Sequence, residues 1–104
     1  MATTFEVKNA DEFEKMISSR DFRISKALVN TILKNLKGTK RHHHALSVVC
    51  LEDEAIYDVT IDRKDFLHTL NENLSTFELE EEYEECAKIQ KAIEFLKKKR
   101  KKTS

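Results

Sequence analysis

The chain contains no proline and a single glycine, Gly38, among 104 residues. Disordered segments and turn-rich β-sandwiches depend on these residue types, so their scarcity argues against both classes. The sequence has only two cysteines, Cys50 and Cys86, and no recognisable secretory signal, which favours a reducing compartment over a disulfide scaffold. No apolar run approaches the roughly 20 residues of a membrane span. We therefore expect a cytoplasmic protein that does not contact a membrane.

Charged residues, by contrast, are abundant and unevenly ordered. They make up 37% of the chain, against roughly 25% in an average domain. The formal net charge of zero hides three blocks. Residues 20–44 carry seven bases and one acid, residues 45–85 thirteen acids and two bases, and residues 86–104 eight bases and one acid. This order makes surface charge a candidate source of function.

Two helices are predicted in the first part of the chain. Residues 10–18 have apolar positions on one helical face, and Asn9 stands where it can cap the first turn. Residues 25–37 give the clearest helical pattern, with Ser25 as the expected N-cap. Gly38 follows directly, in position to end this helix in the left-handed conformation.

The middle of the chain predicts a β-hairpin. Residues 45–51 form a short β-branched apolar run, and residues 55–61 alternate apolar and polar side chains across an acidic link. Residues 4–7 are a candidate third strand. The fold class that follows is α+β, with a small two- or three-stranded antiparallel sheet packed on helices.

Apolar residues at helical spacing continue through residues 64–100, with no glycine or proline to force a break. One long helix and two helices joined near 78–82 both fit this pattern. We expect an α+β core over residues 1–62 and a C-terminal helical hairpin over residues 63–100. Residues 101–104 would then be a disordered basic tail.

The segment YEECAKIQKAIEFL, residues 83–96, resembles the UVR motif, a helical hairpin of bacterial excision-repair subunits and of some protease and kinase adaptors. Gln90 and Lys91 stand where that family has an Arg-Asp pair. The resemblance implies contacts with another protein or with a second copy of this chain. The expected contact residues, which could equally be an internal core against the sheet, are Leu70, Leu74, Phe77, Tyr83, Ile89, Ile93 and Leu96.

The basic segments suggest an alternative function, because lysine and arginine neutralise the phosphates of nucleic acids. The candidate nucleic-acid-binding residues are Arg20, Arg23, Lys34, Lys37, Lys40, Arg41, Lys97, Lys98 and Arg100. No aromatic residues interleave these bases for stacking, and none of the common nucleic-acid-binding motifs occurs.

Catalytic and metal-binding motifs are scarce. In KRHHH, His42 and His44 can share one face of a strand, but a third metal ligand would have to come from elsewhere in the chain. We expect these histidines to form a solvated turn before the strand, with no metal and no other cofactor. A chain with one glycine cannot build a glycine-rich phosphate loop, and neither cysteine has the setting of a nucleophile.

The leading expectation is a small non-enzymatic interaction protein, a regulator or adaptor, with no small-molecule substrate. Its glycine-poor composition, rich in lysine and glutamate, resembles that of several small regulatory proteins of large phages.

Overall fold

The computed structural model describes residues 3–102, with side chains described as far as Lys99, and has an α+β fold. Three strands and four helices follow one another in the order β1, α1, α2, β2, β3, α3, α4, with a 3-10 turn at Arg63–Asp65 before α3. Their bounds are β1 Thr3–Val7, α1 Ala10–Ser18, α2 Phe22–Lys34, β2 His42–Cys50, β3 Ala55–Asp62, α3 Phe66–Leu79 and α4 Tyr83–Lys102. The predicted strands and helices therefore all occur, although several boundaries differ.

The sheet is mixed, with β2 between β1 and β3. β3 pairs with β2 in the antiparallel direction, from Cys50 opposite Ala55 to His42 opposite Asp62, as the predicted hairpin requires. β1 runs parallel to β2, so the prediction of a purely antiparallel sheet is wrong. Two helices separate β1 from β2, and they provide the crossover connection that a parallel pair requires.

The first helix has the predicted bounds and the predicted cap, since the side chain of Asn9 accepts a hydrogen bond of 3.0 Å from the backbone N–H of Glu12. The second helix differs at both ends. It is capped by Asp21, which accepts from the backbone N–H of Arg23 at 2.9 Å, and this places the predicted cap Ser25 inside the helix. Starting there brings Phe22 into the helix, where its ring packs edge-on against that of Phe77.

The predicted left-handed cap at Gly38 is also wrong, because α2 ends at Lys34 and no glycine has a positive φ. The left-handed residues of the described chain lie instead at three other connections. They are Arg20 between α1 and α2, Glu54 between β2 and β3, and Glu81 between α3 and α4, with φ angles of 54°, 49° and 57°. The last of these breaks the C-terminal helical pattern, so residues 66–102 form two helices rather than one.

The helices cover one face of the sheet and leave the other face open. A first core cluster joins α2, the ends of β2 and β3, and both helices of the hairpin, with Ile32, Ile61 and Phe66 among its members. A second cluster packs α1 and the start of α2 on β1 and β2, around Met16 and Val48. The hairpin and the N-terminal part of the chain therefore share one hydrophobic core.

The disordered basic tail predicted for residues 101–104 falls largely outside the described part of the molecule. α4 ends at Lys102, no side chain is described beyond Lys99, and residues 103–104 lie outside the described residues. Within residues 3–102, no helix combines the length and the apolar composition needed to cross a bilayer.

Candidate anion-binding site at the basic end

Six of the seven hairpin residues predicted as partner contacts lie in or against the core. Leu70, Phe77, Ile89 and Ile93 are buried, and Leu74 and Leu96 are partly buried against the first cluster. Tyr83 alone is exposed, at 67%. The sequence left a core role open for these positions, and in this conformation six of them have that role.

Two places on the surface do expose apolar side chains. At the connection between α3 and α4, Leu79 is 84% exposed beside Tyr83, within a run of glutamates. A groove of about 410 Å³ between α1 and β3 is lined by Phe13, Ile17 and Tyr57, among others. Leu79 was not identified from the sequence, because its helical spacing is also that of a core position.

The predicted nucleic-acid-binding residues divide into two groups at opposite ends of α2. Arg20 donates from Nη1 to the backbone oxygen of Glu72 at 3.1 Å, and Arg23 makes a two-point contact with Asp21, at 3.0 and 2.9 Å. Lys34 lies at the far end of this 13-residue helix, about 20 Å away. The basic segment therefore does not form one continuous surface.

The second group belongs to the end of α2, the connection that follows it and the end of α4, and we call these residues the basic end: Lys34, Lys37, Lys40, Arg41, Lys97 and Lys98. All six side chains are exposed. They come from the last turn of α2, the connection to β2, and the last turns of α4. The α3–α4 hairpin is antiparallel and α4 is the longer helix, with 20 residues against 14, so the end of α4 returns to and extends past the start of α3. The side chain of Arg100, also predicted, lies outside the described side chains.

Arg63 connects the parts of the chain beside the basic end, and no local pattern in the sequence singles it out. Its guanidinium donates to the backbone oxygens of Lys40 at 2.6 Å and Leu36 at 3.4 Å, and it stacks over the ring of Phe66 at 5.0 Å. These contacts tie the start of α3 to the connection between α2 and β2. The bases on that connection are therefore held beside those on the hairpin.

A cavity of about 390 Å³ opens at the basic end, between α2 and the first residues of β2. β2 begins at His42, whereas its pairing with the described part of β1 begins only at Leu46. The first residues of β2 therefore run past the end of β1, and one face of α2 lies across the space that remains.

The side chains around the cavity carry positive charge and amide groups. Lys34 and Lys40 provide ammonium groups, and Asn30, Thr31 and Asn35 provide amides and a hydroxyl. Asn35 donates to the backbone oxygen of Thr31 at 2.8 Å, which leaves its own amide oxygen free to accept. None of the residues lining the cavity is acidic. This combination of charge and hydrogen-bonding groups suits an anion that also carries polar edges.

Arg41 is the one member of the basic end with a carboxylate partner. Its Nε lies 3.1 Å from Oδ2 of Asp62. The other carboxylate oxygen of Asp62, Oδ1, accepts from the backbone N–H of Lys64 at 3.0 Å. The backbone N–H of Lys64, followed by the side chain of Arg41, lowers the pKa of the Asp62 carboxyl. Part of the charge of Arg41 is therefore offset before any ligand arrives.

The three histidines belong to β2, so the predicted solvated turn is wrong. The pairing of β2 with β3 continues to Asp62, and this draws all of HHH into the sheet. His42 and His44 are exposed on the open face, whereas His43 is buried with Nε2 2.9 Å from the backbone oxygen of Lys40.

A serine, a histidine and an aspartate meet on the open face, but not in the arrangement of a nucleophilic triad. The hydroxyl of Ser47 donates to Asp58 at 2.6 Å, and this bond lowers the pKa of the Asp58 carboxyl. Nε2 of His44 lies near both groups, at 2.9 Å from Ser47 and 3.2 Å from Asp58. A triad needs the imidazole to bridge serine and aspartate through its two different nitrogens.

Among the described residues, no group of three or more histidine, cysteine, aspartate or glutamate side chains is arranged to hold a metal ion.

Comparison with family models, with curated proteins and with solved structures found no match to this chain.

Proposed function

We propose that the protein acts by binding, without catalysis, and that its basic end contacts the phosphates of a nucleic acid. The observation that carries this proposal is the set of exposed lysines at the ends of α2 and α4. Among the described residues, no carboxylate lies within 4.0 Å of the ammonium groups of Lys34, Lys37, Lys40, Lys97 or Lys98. Surface lysines without acidic partners are available to replace the counterions of a polyanion.

The distribution of acids supports this orientation. Six of the eight glutamates of the last helical hairpin lie at residues 78–85, around the connection between α3 and α4, and the other two are Glu72 and Glu94. A molecule of zero net charge therefore has a strongly uneven surface potential, which can steer a polyanion to one end. The acidic block cancels the basic blocks in the total but not at the surface.

Salt titration tests this function. A fluorescently labelled oligonucleotide should bind with an affinity that falls steeply as salt rises from about 50 to about 200 mM. The triple variant Lys37→Ala, Lys97→Ala, Lys98→Ala should bind more weakly and with a shallower salt dependence, by about one unit of slope for each lysine that contacts a phosphate.

A matched control removes three other exposed lysines, with the changes Lys15→Ala, Lys26→Ala and Lys91→Ala. This variant has the same net charge as the test variant, and it should keep most of the affinity. Equal loss in both triples would show that overall charge, and not the basic end, governs binding.

The second candidate function is a protein contact through the helical hairpin, and the exposure of Leu79 and Tyr83 favours it. In this proposal the chain is a small regulator or adaptor whose UVR-like hairpin uses its connection, rather than its buried seam, to hold another protein or a second copy. Leu79 and Tyr83 lie four positions apart at the connection of the hairpin, and their exposure leaves apolar surface there for a partner to cover.

Solution mass by light scattering tests self-association at this surface. If the hairpin connection joins two copies, the chain should be a dimer at low and high salt, and Leu79→Ser with Tyr83→Ser should convert it to a monomer that stays folded. Ile56→Ser, at another exposed apolar position, is the control and should leave the mass unchanged.

A further inference from the structure

The cavity at the basic end has the size of a small-ligand site. Its volume of about 390 Å³ falls within the range of roughly 300 to 1,000 Å³ that such sites occupy. A phosphate on a duplex surface would use the exposed lysines without entering a cavity. The cavity therefore adds something that surface charge alone does not explain.

Its chemistry separates into two parts. Lys34 and Lys40 supply positive charge, and neither has a carboxylate partner among the described residues. Asn30 and Asn35 supply amides that can both donate and accept hydrogen bonds. A simple anion uses donors only, whereas a nucleobase edge presents donors and acceptors side by side.

The amides of Asn30 and Asn35 can contact the edge of a base directly. A base can enter such a site only when it is not paired in a duplex.

We propose that this cavity takes one unpaired nucleotide of a single-stranded nucleic acid. The base lies against Asn30 and Asn35, and the adjoining phosphate contacts Lys34 and Lys40. This inference rests on the proposed function, because Lys37, Lys97 and Lys98 carry the strand on either side of the inserted nucleotide.

The test compares a labelled single-stranded oligonucleotide with a duplex of the same length, at fixed salt, on the full chain. Binding to the single strand should be at least about tenfold tighter, the effect expected of one base edge held by a pair of hydrogen bonds. Asn30→Phe places a bulky ring on an exposed position of α2 at the cavity and should remove that preference while leaving duplex binding unchanged.

Asn71→Phe is the matched control, since Asn71 is an exposed asparagine of α3 that does not line the cavity. It should bind both probes as the unchanged protein does. Circular dichroism of both variants checks that the fold is kept.

Three other outcomes overturn the inference in distinguishable ways. Equal binding of strand and duplex, unaffected by Asn30→Phe, removes the cavity from the binding site and leaves the basic end as a phosphate-binding surface. Binding of a free mononucleotide as tightly as the oligonucleotide assigns the cavity to a small ligand and not to a strand. Binding of neither probe overturns both this inference and the proposed function.

Discussion

Replacing Leu70 by alanine tests whether the C-terminal hairpin is part of the core. The Leu70 side chain is fully buried in the cluster that joins the hairpin to α2 and the sheet. Truncation of a buried leucine removes its transfer free energy and leaves a cavity, which together cost about 2 to 5 kcal/mol. The free energy of unfolding of a whole domain is only about 5 to 15 kcal/mol. Leu70→Ala should therefore remove a large share of the stability.

The melting temperature gives the readout. A loss of about 1 kcal/mol lowers it by about 4 to 8 °C in a domain of roughly this size, so a loss of about 3 kcal/mol lowers it by about 12 to 24 °C. Leu79→Ala is the matched control, because Leu79 is the same residue type in the same helix but is 84% exposed. A surface truncation of this kind changes stability by no more than about 0.5 kcal/mol.

Thermal and urea unfolding, followed by far-ultraviolet circular dichroism, measure both variants. A Leu70→Ala protein as stable as the Leu79→Ala protein would contradict the reasoning. It would mean that the seam of the hairpin is not buried against the rest of the chain in solution, and it would return these leucines to the list of candidate contact residues.

Three further predictions concern other parts of the molecule. The lowered pKa of the Asp62 carboxyl means that its charged form stabilises the native state. The free energy of unfolding should therefore keep its full value at neutral pH and decrease as the pH falls below about 4. The Asp62→Asn variant should show a smaller decrease in the same acid titration. Arg63→Ala removes the hydrogen bonds that tie α3 to the α2–β2 connection and should cost about 1 to 3 kcal/mol, measured by urea unfolding, with Arg63→Lys failing to restore it. Burial raises the pKa of the thiols of Cys50 and Cys86, so a chromogenic thiol reagent should react with both slowly in the native protein and quickly in urea.

Local patterns predicted the elements well where one signal dominated. Asn9 is the only strong cap before α1, and the structure uses it. At α2 the prediction placed the cap at Ser25, whereas the structure uses Asp21, which is an equally good cap by local rules. The choice depends on the contact of Phe22 with Phe77, more than fifty positions away in the chain. Tertiary packing decided a boundary that local propensity left open.

The order of elements alone does not predict the direction of β1. Parallel strands need a crossover connection, and the two helices between β1 and β2 provide one, but such a connection also fits an antiparallel pair. The strand itself, with five residues, carries no information on direction. The direction therefore depends on the tertiary packing of α1 and α2, which no local pattern describes.

The candidate site was predictable only in part. Lys34 and Lys40 stood out by charge, but Asn30 and Asn35 are ordinary helix-surface residues until the fold places them at a cavity. Arg63 appeared as one of two bases in an acidic block, with nothing in its neighbours to suggest that it bonds to the α2–β2 connection. A site whose residues come from separate helices and strands depends on how those elements pack, and a short stretch of sequence does not predict that packing.

The three left-handed corners, at Arg20, Glu54 and Glu81, have a consequence for how the chain folds. A residue with a side chain adopts this conformation at a cost, and holds it only where the surroundings impose it. None of these three corners has a glycine, so none of them is favoured in isolation. We expect these three turns to form late in folding, after the helices and strands on either side have packed together. Hydrophobic collapse would then impose the turn conformations, and the turns would not initiate folding.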